Sequence, residues 1–88
     1  MQNAPELKFP MPFYEPCEMG RMIRRFRKFR GLTQHELAMR TGTSTKFISN
    51  VETGKETAEI GKVFLLVRML DIGMQFIDLH RDFPQWKD

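Results

Sequence analysis

The sequence predicts a small, mainly α-helical domain of four to five helices with a short C-terminal strand. Three observations carry this. The first is an apolar stripe at helical spacing, Met19, Met22, Ile23, Phe26 and Phe29, which falls at i, i+3, i+4, i+7 and i+10. The second is a pair of helix-start signals, Thr33-Gln34-His35-Glu36 and Thr43-Ser44, only a few residues apart. The third is glycine punctuation at Gly31, Gly42, Gly54 and Gly73, each where one pattern stops and another begins.

Each element follows in order. Residues 1–16 contain Pro5, Pro10, Pro12 and Pro16, which remove amide donors and disfavour helix before them. An extended arm is expected. Its Leu7, Phe9, Phe13 and Tyr14 either dock on a partner or fold over the chain's own core. From Glu18 a first helix runs to Gly31, with Arg21, Arg24, Arg25, Arg27 and Lys28 assigned to the faces away from the apolar stripe. Thr33 and Glu36 read as a capping box opening a second helix, which directs Leu37 and Ala38 inward and ends at Gly42. A third helix follows through Phe47, Ile48 and Val51 to Gly54. After a loop, a fourth covers 59–71, with Val63, Leu66, Val67 and Leu70 as its inner stripe.

Phe64, Leu65 and Met69 broaden that stripe beyond what one small core needs, and a subunit interface is the simplest explanation. Residues 74–79 alternate as a short strand, which is not stable alone and must pair with the arm or with its copy in a second subunit. Residues 81–88, which include Trp86, read as a flexible tail. The expected organisation is therefore an arm over 1–16, a helical domain over 17–73, a dimerisation strand over 74–80 and the tail.

Composition narrows the classes. With 88 residues, one domain is expected. The longest apolar run spans 63–67, far short of the roughly 20 residues a bilayer requires, and no secretory signal is visible. A cytoplasmic protein without a membrane partner is expected. Cys17 is the single cysteine, so no intramolecular disulfide or Cys-rich zinc site is possible, and His35 and His80 are too far apart for a local metal motif. Neither histidine has an orienting partner in sequence and no Gly-rich phosphate loop occurs. No catalytic residues, cofactor or metal are expected.

Net charge is +3, but it is unevenly placed. Residues 18–55 carry +6 and the remainder −3. An anionic partner for one face fits this asymmetry, but on charge alone a solvated helix face that happens to be rich in Arg is the preferred reading.

The spacing of the middle helices is more informative. Gln34 opens the unit, Ala38 sits four residues on, Gly42 four after that, and Ile48 six later, with Leu37 and Val51 completing a miniature core. Two short helices joined by a tight glycine turn describe a helix-turn-helix. Residues 31–38, Gly-Leu-Thr-Gln-His-Glu-Leu-Ala, and 45–55, Thr-Lys-Phe-Ile-Ser-Asn-Val-Glu-Thr-Gly-Lys, resemble the Xre-type helix-turn-helix of the phage-repressor superfamily. The continuation over 54–63, the helix ending at Leu70, the strand after it, and Tyr14 with Pro16 narrow the resemblance to HipB-like antitoxins. Two positions depart from the pattern. Thr43 stands where the turn often has Val or Ile, and Asp71 where many relatives have Gly.

The resemblance implies a two-fold dimer on operator DNA, with the third helix in the major groove. Ser44, Thr45 and Lys46 would meet base edges, with Ser49 one turn later, and Asn50 would reach a base or a phosphate. Thr33 and Gln34 would meet phosphate at the start of the second helix, and Lys55 and Arg30 would add backbone contacts. Ser44 is also expected to cap its helix. Phe47 has three readings, against a thymine methyl, under the loop near Lys55 or at a partner subunit, and packing is preferred. The resemblance also implies that Phe64, Leu65, Met69, Met74, Phe76 and Ile77 form the dimer interface, and that a HipA-like serine/threonine kinase toxin is a second partner. The alternatives are a stand-alone repressor without a toxin, and a protein-interaction module that has lost DNA binding.

Overall fold

A computed structural model describes residues 7–79 of the chain. Four α-helices are present among them: α1 (Pro16–Phe29), α2 (Gln34–Thr41), α3 (Thr45–Glu52) and α4 (Ile60–Met69).

Local chemistry sets each boundary. Helix α1 starts two residues before the expected Glu18, because Pro16 occupies its first turn. A proline lacks only an N–H that has no intrahelical acceptor there anyway. The Glu15 carbonyl accepts from the amides of Glu18 and Met19 at 3.0 and 3.1 Å. The helix closes at Gly31, whose φ of 75° lets the Leu32 amide return to the Arg27 carbonyl at 3.0 Å.

The capping box of α2 is complete. Thr33 Oγ1 accepts from the Glu36 amide at 3.0 Å, and Glu36 Oε1 accepts from the Thr33 amide at 2.9 Å. Gly42 ends α2 in the left-handed region. Thr43, the unusual turn residue, is held through its hydroxyl. It shares a hydrogen bond of 2.9 Å with Thr41 Oγ1, which also donates to the Leu37 carbonyl at 2.8 Å. Ser44 caps α3 by accepting from the Phe47 amide at 3.0 Å. Asp71 follows α4 at φ 58°, the backbone conformation that glycine would supply without strain.

Ile23, Phe26, Leu37, Ala38, Ile48, Val51, Val63, Leu66, Val67 and Leu70 form one core, drawn from all four helices. Helix α1 packs on α3, and α2 packs on both α3 and α4. The α1–α3 crossing depends on Gly20. A Cβ there would overlap the Val51 carbonyl oxygen and stand 3.0 Å from that of Glu52.

Two sequence-based expectations for α1 require correction. Phe29 lies on the surface, under the Arg30 guanidinium at 5.5 Å from its ring centroid, because the stripe drifts off the core face by the last turn. Arg27, assigned to the solvent face, is buried. The described part of the arm divides between its two alternatives: Leu7 and Met11 pack against the core and the Phe9 ring lies 5.7 Å from that of Phe26, while Phe9 and Tyr14 stay 66 and 73% exposed.

Residues 74–79 are exposed, and no strand occurs among the described residues. A single chain offers that segment no edge to pair with. His80 and the expected tail over 81–88 lie outside the described residues.

Candidate nucleic-acid interface

The helix-turn-helix brings two helix N-termini onto one unit. At α3, Ser44, Thr45 and Lys46 are exposed, while Ser49 and Asn50 are half-buried. The side chains of Thr45, Lys46, Ser49 and Asn50 make no hydrogen bond or ion pair with the described residues. No acidic residue lies in the first turn of α3. The positive end of the helix and the Lys46 ammonium are therefore not offset locally, and the turn favours an anion or an electron-rich base edge.

Capping does not exclude recognition. Ser44 Oγ accepts one amide hydrogen bond, which leaves its hydroxyl proton to donate outward. At α2, Glu36 is the only acid in the first turn and its carboxylate is turned back into the box. The Thr33 amide that donates to it, with the Thr33 hydroxyl beside it, holds the Glu36 pKa below its ordinary 4.5.

Gln34 is placed differently from a free surface amide. Its Nε2 donates to Glu52 Oε1 at 3.1 Å. Glu52 is in turn paired with Arg27. Sequence reading missed this cluster, although a signal existed. Arg27 lies four residues after Ile23, and Glu52 four after Ile48, so both sit on core-facing stripes where an unpaired charge is costly.

Arg30 is engaged away from the start of α3. Its Nε donates to the Leu70 carbonyl at 3.1 Å and so ties the end of α1 to the end of α4. Lys55 is exposed on the loop after α3, where its amide closes on the Asn50 carbonyl at 2.9 Å. Phe47 packs against the core, with Lys62 Nζ over its ring at 5.9 Å from the centroid, as the preferred packing reading expects.

The second surface lies on α4. Phe64, Leu65 and Met69 are 48, 44 and 41% exposed, while Val63, Leu66 and Val67 of the same helix are buried. Met74, Phe76 and Ile77 continue that apolar exposure beyond the helix. Cys17 is a free thiol against Gly54, and no group of three metal-ligating side chains occurs among the described residues. No described helix is long and apolar enough to cross a membrane.

Comparison with known proteins places this geometry. A profile of the Helix-turn-helix domain family matches residues 20–73. The chain is 37% identical over 62 residues to the uncharacterized HTH-type transcriptional regulator y4mF of Sinorhizobium fredii, covering 70% of this chain and 82% of that protein. It is 26% identical over 72 residues to antitoxin HipB of Escherichia coli K12, covering 82% of each. Among solved structures, the HipA-HipB-O2-O3 complex and the HipB-O4 20mer complex each match with a TM-score of 0.73 at 26% identity, over 80% of this chain and 99% of theirs. The chain thus belongs to the helix-turn-helix family of DNA-binding regulators and is a homologue of the HipB antitoxins.

Proposed function

We propose that the chain is a sequence-specific repressor that binds operator DNA as a two-fold dimer and neutralises a HipA-like kinase toxin in the cytoplasm. The observation that carries the DNA reading is the first turn of α3. Ser44, Thr45 and Lys46 are exposed on it with no acid in that turn, on a fold that matches a HipB-O4 20mer complex. Lys46 is the discriminating donor, toward guanine O6 or N7, and Ser49 and Asn50 extend the reading face by one turn. Thr33, Gln34 and Lys55 supply phosphate contacts that position the helix. Arg30 adds one only if its side chain leaves the Leu70 carbonyl.

The dimer reading is supported by the apolar face of α4. Phe64, Leu65 and Met69 leave 41–48% of their surface in water on one helix, an apolar area that an interface would cover, and residues 74–79 would pair with their mate across the two-fold axis. The toxin partnership is supported by homology to HipB and by the match to a HipA-HipB-O2-O3 complex. The stand-alone alternative uses the same DNA contacts without a toxin, and the similarity to y4mF, an uncharacterized HTH-type transcriptional regulator, fits either reading.

Binding to the DNA upstream of the chain's own gene is the direct test. A shift at moderate salt that Lys46→Ala converts to non-sequence-specific binding is expected, and no specific shift refutes the operator reading. Co-purification with a neighbouring kinase separates the antitoxin from the stand-alone repressor.

A further inference from the structure

Arg27 and Glu52 are two buried charges that the contacts above do not use. Arg27 Nε donates to Glu52 Oε2 at 2.6 Å and its Nη2 donates to Glu52 Oε1 at 3.0 Å. Its Nη1 donates to the Leu32 carbonyl at 2.8 Å. The two side chains are only 9 and 2% exposed. A buried pair of this kind is weak evidence of stability, since well-packed apolar residues often serve as well or better. What it supplies here is direction.

Glu52 Oε1 accepts one further hydrogen bond, from Gln34 Nε2 at 3.1 Å. The cluster therefore joins the end of α1, the first residue of α2 and the last residue of α3. The Gln34 amide has two donors on Nε2 and an acceptor oxygen. A neighbouring carboxylate admits only the NH2 end, because the amide oxygen would face it lone pair to lone pair. The amide cannot flip. One Nε2 proton is used by Glu52, and the other is left to a ligand at the N-terminal end of α2, where the helix favours an anion. Arg27 also offsets the Glu52 charge, so the carboxylate does not repel an approaching phosphate as an unpaired one would.

We infer that the Arg27–Glu52 pair is a positioning device for DNA binding, which holds the Gln34 amide so that its second Nε2 proton meets a backbone phosphate. The inference rests on the DNA-binding reading. Because Glu52 terminates α3, the same contact ties the phosphate anchor on α2 to the axis of the reading helix. The register of base contacts then depends on two residues that touch no DNA.

The test is a double-mutant cycle in DNA affinity, measured on the full chain with a duplex that the unaltered protein selects from a randomised library. The variants are Gln34→Ala, the apolar swap Arg27→Met with Glu52→Leu, and the combination of all three. Both charges are replaced together because either alone would be left buried and unpaired. Gln34→Ala should weaken binding about tenfold per site, as expected for a hydrogen bond to a charged group. The swap should weaken it by a similar factor, and the triple variant should be no weaker than the swap. Losing the same tenfold to Gln34→Ala in both backgrounds overturns the inference, as does a swap with unaltered affinity. A library that yields no enriched sequence is the separate failure of the DNA reading, and it removes the inference with it. If the swap does not fold, side-chain amide NMR of the unaltered chain decides. One of the two Gln34 Nε2 protons should shift when the duplex is added, and equal shifts of both, or none, overturn the positioning role.

Discussion

Replacing Gly20 with alanine is the most direct probe of how this fold is held. Glycine in a helix interior is ordinarily a weakness, and alanine should stabilise α1 by about 0.8–1 kcal/mol. At Gly20 the sign reverses. The new Cβ would overlap the Val51 carbonyl oxygen and lie 3.0 Å from the Glu52 carbonyl oxygen, both rigid backbone atoms of α3. Restoring contacts of roughly 3.5 Å requires α1 and α3 to part by about an ångström. That separation loosens Ile23 and Val51, each at most 5% exposed, and stretches the Arg27–Glu52 pair. Overpacking of this kind costs about 1–3 kcal/mol, and opening a buried ion pair adds to it. Net of the helix gain, a loss of about 2 kcal/mol is expected, which for a domain this size lowers Tm by roughly 8–16 °C. The matched control is Gly61→Ala on α4, where nothing lies within 4 Å of the added Cβ. There the helix gain is unopposed and Tm should rise. Thermal unfolding by circular dichroism at one fixed protein concentration measures both, since the proposed dimerisation would make Tm concentration-dependent. A neutral or stabilising Gly20→Ala refutes the close-crossing argument, and the same sign at both glycines refutes it as surely.

Three further outcomes are expected. Glu36 has its pKa lowered by the Thr33 amide, so its contribution is present above the ordinary 4.5 and is lost as pH falls through the lowered folded value. Glu36→Gln keeps the capping geometry but cannot titrate, so the stability advantage of the unaltered chain over this variant should shrink on acidification below that range, as followed by Tm against pH. Asp71 sits at φ 58°, so Asp71→Gly should stabilise by about 0.5–1 kcal/mol and Asp71→Val should destabilise by more, read from denaturant midpoints. Phe64→Asp places a charge on the exposed apolar face of α4 and should leave a folded monomer by analytical ultracentrifugation with an intact helical spectrum, whereas an unchanged dimer would remove that face from the interface.

The helix starts and stops were legible in the sequence. The Thr33–Glu36 box, the Ser44 cap and the left-handed Gly31 and Gly42 involve hydrogen bonds between residues at most five apart, and residue type specifies them almost alone. The reading turn of the candidate interface was legible for the same reason, because its residues are consecutive on one helix. Gln34 was legible as a residue at the α2 terminus but not as a partner of Glu52, which is eighteen positions away.

The sequence by itself therefore determined the helical class, the caps, the turn and the exposed first turn of α3, all of which are short-range physics. Tertiary structure alone decided three things. It made Gly20 a crossing point, because what matters there is a carbonyl on another helix. It buried Arg27 against Glu52, because the stripe that carries Arg27 meets α3 where its helical neighbours meet the apolar core. It also laid Leu7 and Met11 against the core and brought the Phe9 ring beside Phe26, a choice of neighbour that the apolar pattern of the arm did not specify. In each case the deciding neighbour is remote in sequence, and the burial that gives the contact its energy exists only once the helices have packed.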